Sequence, residues 1–253
     1  MHIHDQVFIV TGGGSGLGAA TAAEFVEFGA RVAIFDRDAE RAEQVAHDLH
    51  VQWFPLDVTD DEAVKQAVQS VVNQFGRLNG VVNCAGIGIA AKVLGKEGPH
   101  SLSAFQQVLS VNVVGTFNVS RWVAWAMKGQ PIGSGGERGV IIQTASIAAF
   151  EGQIGQAAYS ASKGAIVGMT LPLARELAQY GIRVMAIAPG IFDTPMLGML
   201  PQAARESLGA QVPFPPRLGS PREYALLARH IVENPMLNGE VIRLDGAIRM
   251  APR

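Results

Sequence analysis

The chain has 253 residues, 48% of them hydrophobic, enough to bury one large core within the usual single-domain range. Its 20 basic and 22 acidic residues leave a formal charge of −2 with no basic block or acidic tail, so no nucleic-acid partner is expected. No apolar run reaches the roughly 20 residues that cross a bilayer, Met1 to Asp5 leave no room for a leader peptide, and the single cysteine, Cys84, cannot form an internal disulfide; the expectation is a cytoplasmic protein with no membrane association.

The first predicted strand, Val7-Phe8-Ile9-Val10, runs into Thr11-Gly12-Gly13-Gly14-Ser15-Gly16-Leu17-Gly18 and then a helical pattern from Ala19 to Phe28. Glycines at such a turn let a ligand approach the main chain, and the free N–H groups of the following helix suit a pyrophosphate. Gly12, Ser15, Gly16, Leu17 and Gly18 are therefore candidate dinucleotide contacts, although the Gly12-x3-Gly16-x-Gly18 spacing differs from the G-x-G-x-x-G fingerprint. The second strand, Arg31 to Asp36, ends in a carboxylate twenty residues after Gly16, where a dinucleotide fold places the group that holds an adenosine ribose. Asp36 disfavours a 2′-phosphate and so favours NAD. Arg37 beside it is able to pair with such a phosphate, but Asp38 and Glu40 mark a solvated helix start.

A strand from Val51 to Val58, a helix from about Asp60 to Phe75 and a strand from Gly80 to Gly86 follow, with Cys84 reading as a small core residue. A helical region from about Ser103 to Met127 gives way to a Gly/Pro/Ser-rich surface loop, Gly129 to Gly139. The apolar run from Val140 then ends at Ser146, thirteen residues before Tyr159-Ser160-Ala161-Ser162-Lys163. Four residues apart on a helix, Tyr159 and Lys163 share one face, about 6 Å apart along the axis. A fixed cation favours the phenolate and lowers a tyrosine from its usual pKa of about 10. Tyr159 then trades a proton with an alcohol, while the Ser146 hydroxyl holds the oxygen.

The Tyr/Lys helix is predicted from about Gln156 to Tyr180, with Pro172 arguing for a kink or an early stop. A strand from Arg183 to Ala188, a long irregular segment, a helix near Pro221 to Glu233 and a last strand from Glu240 to Leu244 complete the chain. This alternation predicts one α/β domain over residues 1–253, a Rossmann-like doubly wound parallel sheet flanked by helices. In such a sheet, ligands bind beyond the carboxyl ends of the strands, where the strand order reverses.

Taken together, the glycine turn, Asn83-Cys84-Ala85-Gly86, Ser146 and Tyr159-x3-Lys163 resemble the short-chain dehydrogenase/reductase family, and the resemblance reaches to Leu244-Asp245-Gly246. The family usually has Asn-Asn-Ala-Gly where this chain has Cys84. The resemblance implies reversible hydride transfer between a secondary alcohol and NAD, with Tyr159 as base or acid, Ser146 polarising the oxygen, and Lys163 binding the nicotinamide ribose and lowering the tyrosine pKa. It implies that Asn112 supports a proton relay, that Tyr159 and Lys163 also touch the cofactor, and that no metal is needed. It assigns Asp57 and Val58 to the adenine, Cys84, Ala85 and Gly86 to the adenosine side, Phe192 and Thr194 to the nicotinamide end, and Gln153, with Ser146 and Tyr159, to the substrate.

Within the family, the runs Phe150 to Gly164 and Asn234 to Met250 are most similar to members acting on 3-hydroxyacyl-CoA thioesters. Such an ester is the expected small-molecule substrate; a hydroxysteroid or simple secondary alcohol is the alternative, and carrier-protein reduction or non-catalytic dinucleotide sensing is less expected. Residues 191–220, with Met196, Leu197, Met199, Leu200 and Phe214, read as a cover over an apolar group. Lys92 and Lys96 read as solvated rather than as CoA phosphate contacts. A homotetramer is implied, with Ala161, Ala165 and Gly168 allowing close helix contact.

Overall fold

The computed structural model describes residues 1–133, 135–198 and 201–252, the side chain of Met196 excepted. Strands β1 (Val7–Thr11), β2 (Arg31–Asp36), β3 (Gln52–Pro55), β4 (Gly80–Asn83), β5 (Gly139–Thr144), β6 (Ile182–Pro189) and β7 (Val241–Leu244) form one sheet in the order β3-β2-β1-β4-β5-β6-β7. Every pairing between them is parallel. The chain steps outward from β1 to β3 and then returns to lay β4 on the other side of β1. The order therefore reverses between β1 and β4, and the crevice at their carboxyl ends is the expected ligand edge.

Helices α1 (Gly16–Glu27), α2 (Ala39–Leu49), α3 (Asp61–Phe75), α4 (Leu102–Leu109), α5 (Thr116–Lys128) and α6 (Ala157–Ala178) pack on the two faces. Alternate residues of a strand point to opposite faces, so Phe8 and Val10 join Phe25, Ile34 and Ile142 in one core, while Val7 and Ile9 join Phe35, Val68 and Ile141 in the other. Strands covered on both faces read as unbroken apolar runs, and β1, β4 and β5 are buried at every position.

The doubly wound parallel sheet is as the sequence predicts, with differences at element ends. β3 stops at Pro55, not Val58, because Asp57 turns the chain: its Oδ1 accepts from the Thr59 N–H at 2.9 Å and from the Thr59 hydroxyl at 2.8 Å. β4 stops at Asn83, leaving Cys84 to Gly86 as irregular chain beyond the sheet. Between α4 and α5 the predicted continuous helix widens into a π-helical turn, Ser110–Gly115. α6 passes through Pro172 without stopping, its buried Ile166, Thr170 and Ala174 overriding the local preference. The segment predicted as irregular holds α7 (Pro195–Gly198) and α8 (Gln202–Ala210), and α9 (Pro221–Glu233) starts at the predicted residue behind a Ser220/Glu223 capping box. Among the described residues, no helix is long and apolar enough to cross a membrane.

Candidate active site

The glycine turn sits between β1 and α1, at the point where the strand order reverses. Gly12 has a left-handed backbone (φ +65), and a Cβ there would lie 2.8 Å from the Ala85 nitrogen; a Cβ on Gly18 would strike the Gly12 carbonyl. Only glycine allows the turn to fold flat onto α1 and against Cys84 and Ala85. Ser15, the N-cap of α1, makes no side-chain capping bond, so the first N–H groups of that helix are not met by the cap side chain and suit an anion. Across the turn, Thr194 approaches Gly16, whose added Cβ would lie 3.5 Å from the Thr194 Cβ.

Asp36 ends β2 beside this turn. Its Oδ2 accepts from the Gly14 N–H at 2.8 Å and its Oδ1 from the Asp38 N–H at 2.9 Å, which orients the carboxylate at the crevice edge. Arg37 leans towards Asp57, 3.9 Å from its Oδ2. Asp57 and Val58 follow β3, but Asp57 is engaged with Thr59, while Val58 is buried against Gly115 and gives its carbonyl to Asn118 at 2.9 Å. Phe192 is also buried, its ring lying under Gly219. The residues expected to hold a dinucleotide are thus gathered along one edge, and those around Gly12–Gly18 and Asp36 form a cradle that fits one.

At the reacting end, Ser146 lies two residues past β5 and caps the short 3₁₀ turn Ile147–Ala149, its Oγ accepting from the Ala148 N–H at 3.1 Å. Tyr159 is in the first turn of α6. Burial pushes its phenol above the ordinary value, and the nearby Ser146 hydroxyl pulls it partly back. Lys163, one turn on, is itself buried; its Nζ lies 5.7 Å from the Tyr159 ring centre and donates to the Thr144 carbonyl at 2.7 Å. Burial lowers its pKa to about 8. In the chain by itself burial is the larger influence on the phenol, and the Lys163 ammonium is aimed at a main-chain carbonyl.

Asn112 lies in the π-helical turn, where such widenings often accompany functional sites. Its Oδ1 accepts from the Ile87 N–H at 2.8 Å, and its Nδ2 donates to the Ile87 carbonyl and to Ser162 Oγ, both at 2.9 Å. Ser162 in turn donates to the Tyr159 carbonyl at 2.7 Å. Asn112 thus ties the chain beyond β4 to the Tyr/Lys helix. Gly86 makes room for this tie, since a Cβ there would lie 3.2 Å from Asn112 Oδ1 and 3.7 Å from Lys163 Nζ.

Two contributors were not read from the sequence. The Thr144 hydroxyl donates to the Asn83 carbonyl at 2.6 Å and meets the fully buried Tyr224 hydroxyl at 2.7 Å, fixing the carbonyl that holds Lys163. Thr144 gave one signal, a polar residue in an apolar run two positions before Ser146; Tyr224 gave none beyond its place on the buried face of α9. Cys84 Sγ lies 3.8 Å from the Tyr224 hydroxyl, and burial pushes its thiol up, as expected for an inert core cysteine.

Gln153 is also turned elsewhere than expected: its Nε2 donates to the Ala251 carbonyl at 3.0 Å. In the cover, Phe214 is 79% exposed; Met199, Leu200 and the Met196 side chain lie outside the described residues. Lys92 and Lys96 stand exposed on the loop beyond β4. Among the described residues, no group of three or more His, Cys, Asp or Glu is placed to hold a metal ion.

A family profile described as short chain dehydrogenase matches residues 6–205. The chain is 56% identical over 250 residues to 3-hydroxyacyl-CoA dehydrogenase type-2 of Homo sapiens, covering 97% of this chain and 96% of that one. The crystal structure of 3-hydroxyacyl-CoA dehydrogenase type-2 from Mycobacterium avium superposes with a TM-score of 0.94 at 39% identity, covering 98% of this chain and 97% of the other. A 3-ketoacyl-(acyl-carrier-protein) reductase from Brucella melitensis, solved in complex with NADH, superposes with a TM-score of 0.87 at 30% identity, covering 98% of this chain and all 100% of that one.

Proposed function

The chain belongs to the short chain dehydrogenase family of oxidoreductases, and on that footing we propose that it oxidises the hydroxyl of 3-hydroxyacyl-CoA thioesters to the 3-oxo form, reversibly, with NAD. The observation that carries the reading is the meeting of Ser146, Tyr159 and Lys163 at the same sheet edge as the glycine turn, with the Lys163 Nζ 5.7 Å from the Tyr159 ring centre. The thioester is supported by the likeness to the human and Mycobacterium avium proteins.

When bound, the nicotinamide supplies the hydride acceptor and a positive charge. Gly12, Ser15, Gly16, Leu17 and Gly18 hold the pyrophosphate, Asp36 the adenosine ribose, and Thr194 the nicotinamide end. In oxidation, Tyr159 in its phenolate form, which the Lys163 ammonium and the positive charge of a bound nicotinamide would favour, takes the hydroxyl proton while the Ser146 hydroxyl donates to the substrate oxygen; in reduction the phenol gives the proton back and Ser146 donates to the carbonyl oxygen. Lys163 contributes its ammonium charge below about pH 8 and loses it as pH rises through that value. Asn112 holds the Tyr159 turn in place through Ser162.

Preference for NAD over NADP is supported by the Asp36 carboxylate at the ribose position and by the lean of Arg37 towards Asp57. Asp36→Ser is expected to raise kcat/KM with NADP about tenfold or more relative to NAD, since it removes one like-charge contact with a 2′-phosphate. Unchanged preference in that variant would place the discrimination elsewhere. Assembly as a homotetramer is supported by the exposed Val114, Phe117 and Trp125 on the π turn and α5, and by the open space beside Gly164 and Gly168 on α6.

The test of the substrate is NAD reduction with 3-hydroxyacyl-CoA esters beside hydroxysteroids and simple secondary alcohols. A kcat/KM for the thioesters at least about tenfold above the other classes, equivalent to about 1.4 kcal/mol of transition-state binding, is the expected result. Steroid or alcohol preference would leave the dehydrogenase chemistry intact and move the substrate to the other class.

A further inference from the structure

Beyond β7 the chain reverses over Gly246 and Ala247, both left-handed at φ +57 and +68, a conformation rare for alanine. Asp245 builds the reversal. Its Oδ1 accepts from the Ala247 N–H at 3.0 Å, its carbonyl from the Ile248 N–H at 3.1 Å, and its Oδ2 meets Arg243 at 2.8 Å and Arg249 at 3.3 Å. The outgoing chain then lies between the segment that joins Ser146 to Tyr159 and the return of the cover, whose Val212 packs with Ile147.

One of these segments is residues 147–155, between Ser146 and α6. Glu151 Oε1 pairs with Arg243 at 2.8 Å and Arg249 at 3.3 Å, and its Oε2 accepts from the Met250 N–H at 3.0 Å. Gln153 Nε2 and the Ile154 N–H donate to the Ala251 and Pro252 carbonyls, each at 3.0 Å. The other is the return of the cover after α8. There Ile248, 2% exposed, shares a core with Ile147 and Val212, and the Phe214 N–H donates to the Gly246 carbonyl at 3.2 Å. A Cβ on Gly246 would collide with Val212, so the two chains are in close contact.

We propose that residues 245–252 are a strut that sets the separation of the two walls of the substrate pocket, with Glu151 as its anchoring and positioning residue. The inference rests on the reading of this site as an alcohol-oxidising centre covered by residues 191–220. Gln153 fits it directly: its amide nitrogen holds the strut, and through the strut it fixes the wall beside Tyr159. The arginines hold Glu151 well ionised below the ordinary carboxylate range, so the anchor stays charged at neutral pH.

The test compares the full chain with Glu151→Gln and with a chain ending at Arg249, by amide hydrogen exchange without ligand and by steady-state kinetics. Both variants are expected to lose protection at residues 147–156 and at 209–216 together, by about tenfold, the equivalent of one charge-assisted hydrogen bond, while residues 12–18 keep theirs. KM for the alcohol substrate is expected to rise about tenfold with kcat within about twofold and NAD affinity unchanged. Loss of protection in one segment alone, an unchanged KM, or a parallel fall in NAD affinity would each overturn the strut. The exchange measurement needs no substrate, so if 3-hydroxyacyl-CoA is not turned over, the kinetic arm uses whichever alcohol the wild type oxidises.

Discussion

Tyr159→Phe is expected to lower kcat by about 10³-fold or more while changing dinucleotide affinity by less than about threefold. The substitution removes one oxygen from a half-buried ring and leaves its packing in place. General acid–base catalysis contributes about 10²–10⁴-fold, and among the groups at this sheet edge the phenol is the one placed to exchange the proton: Ser146 already has its oxygen on the Ala148 N–H, and Lys163 has its ammonium on the Thr144 carbonyl. Fluorescence titration with NADH beside single-turnover kinetics separates the two quantities. A variant retaining a tenth of wild-type kcat would remove Tyr159 from the proton transfer.

Replacing Lys163 by Met should give effects of opposite sign on activity and stability. Activity is expected to fall by about 10²–10³-fold, because the fixed cation beside the reacting pair is gone. Stability at pH 7 is expected to rise. The lysine is held at about 8 against an ordinary 10.5, so the native state binds this proton less tightly than the unfolded chain does. Below about pH 8 the lysine is charged in both states, and the buried charge weighs against folding by about 3 kcal/mol at most. As pH rises from about 8 towards 10.5 the native chain sheds the proton first and the penalty fades. A methionine of similar length avoids it, and after imperfect packing a gain of about 1–2 kcal/mol is expected at pH 7, or about 3–6 °C in Tm for a chain of this size. The gap should close in melts at pH 10. A lower Tm at pH 7, or a gap that ignores pH, would show that the bond to Thr144 more than offsets the desolvation.

Elements whose signals are local were legible in the sequence. β2 runs from Arg31 to Asp36 as read, and α9 starts at Pro221 because Ser220, Pro221 and Glu223 spell out a helix start in four residues. The glycine turn, Ser146 and Tyr159/Lys163 were legible for the same reason, and topology then brought them to one edge. Elements that depend on distant partners were not. The π-helical turn around Asn112 has no periodic signature; it shows only through the bonds from Asn112 to Ile87 and Ser162. α8 was hidden among prolines. The partner of Lys163 is the main-chain carbonyl of Thr144, nineteen residues upstream, a residue whose hydroxyl meets a tyrosine from α9, and the partner of Gln153 is ninety-eight residues away. No spacing rule reaches such contacts.

The all-parallel sheet also sets how the chain reaches its native state. No neighbouring pair of strands can form as a hairpin, and β1 must wait for β4, about seventy residues later, before its second edge is paired. Contacts of such long sequence separation form late, so refolding from denaturant should be slow for the size of the chain, and β1 should spend that interval with an open edge of unpaired backbone groups between mostly apolar side chains. Yield on refolding should consequently fall with protein concentration even under conditions where the native enzyme is stable, making dilution rather than temperature the variable that governs recovery.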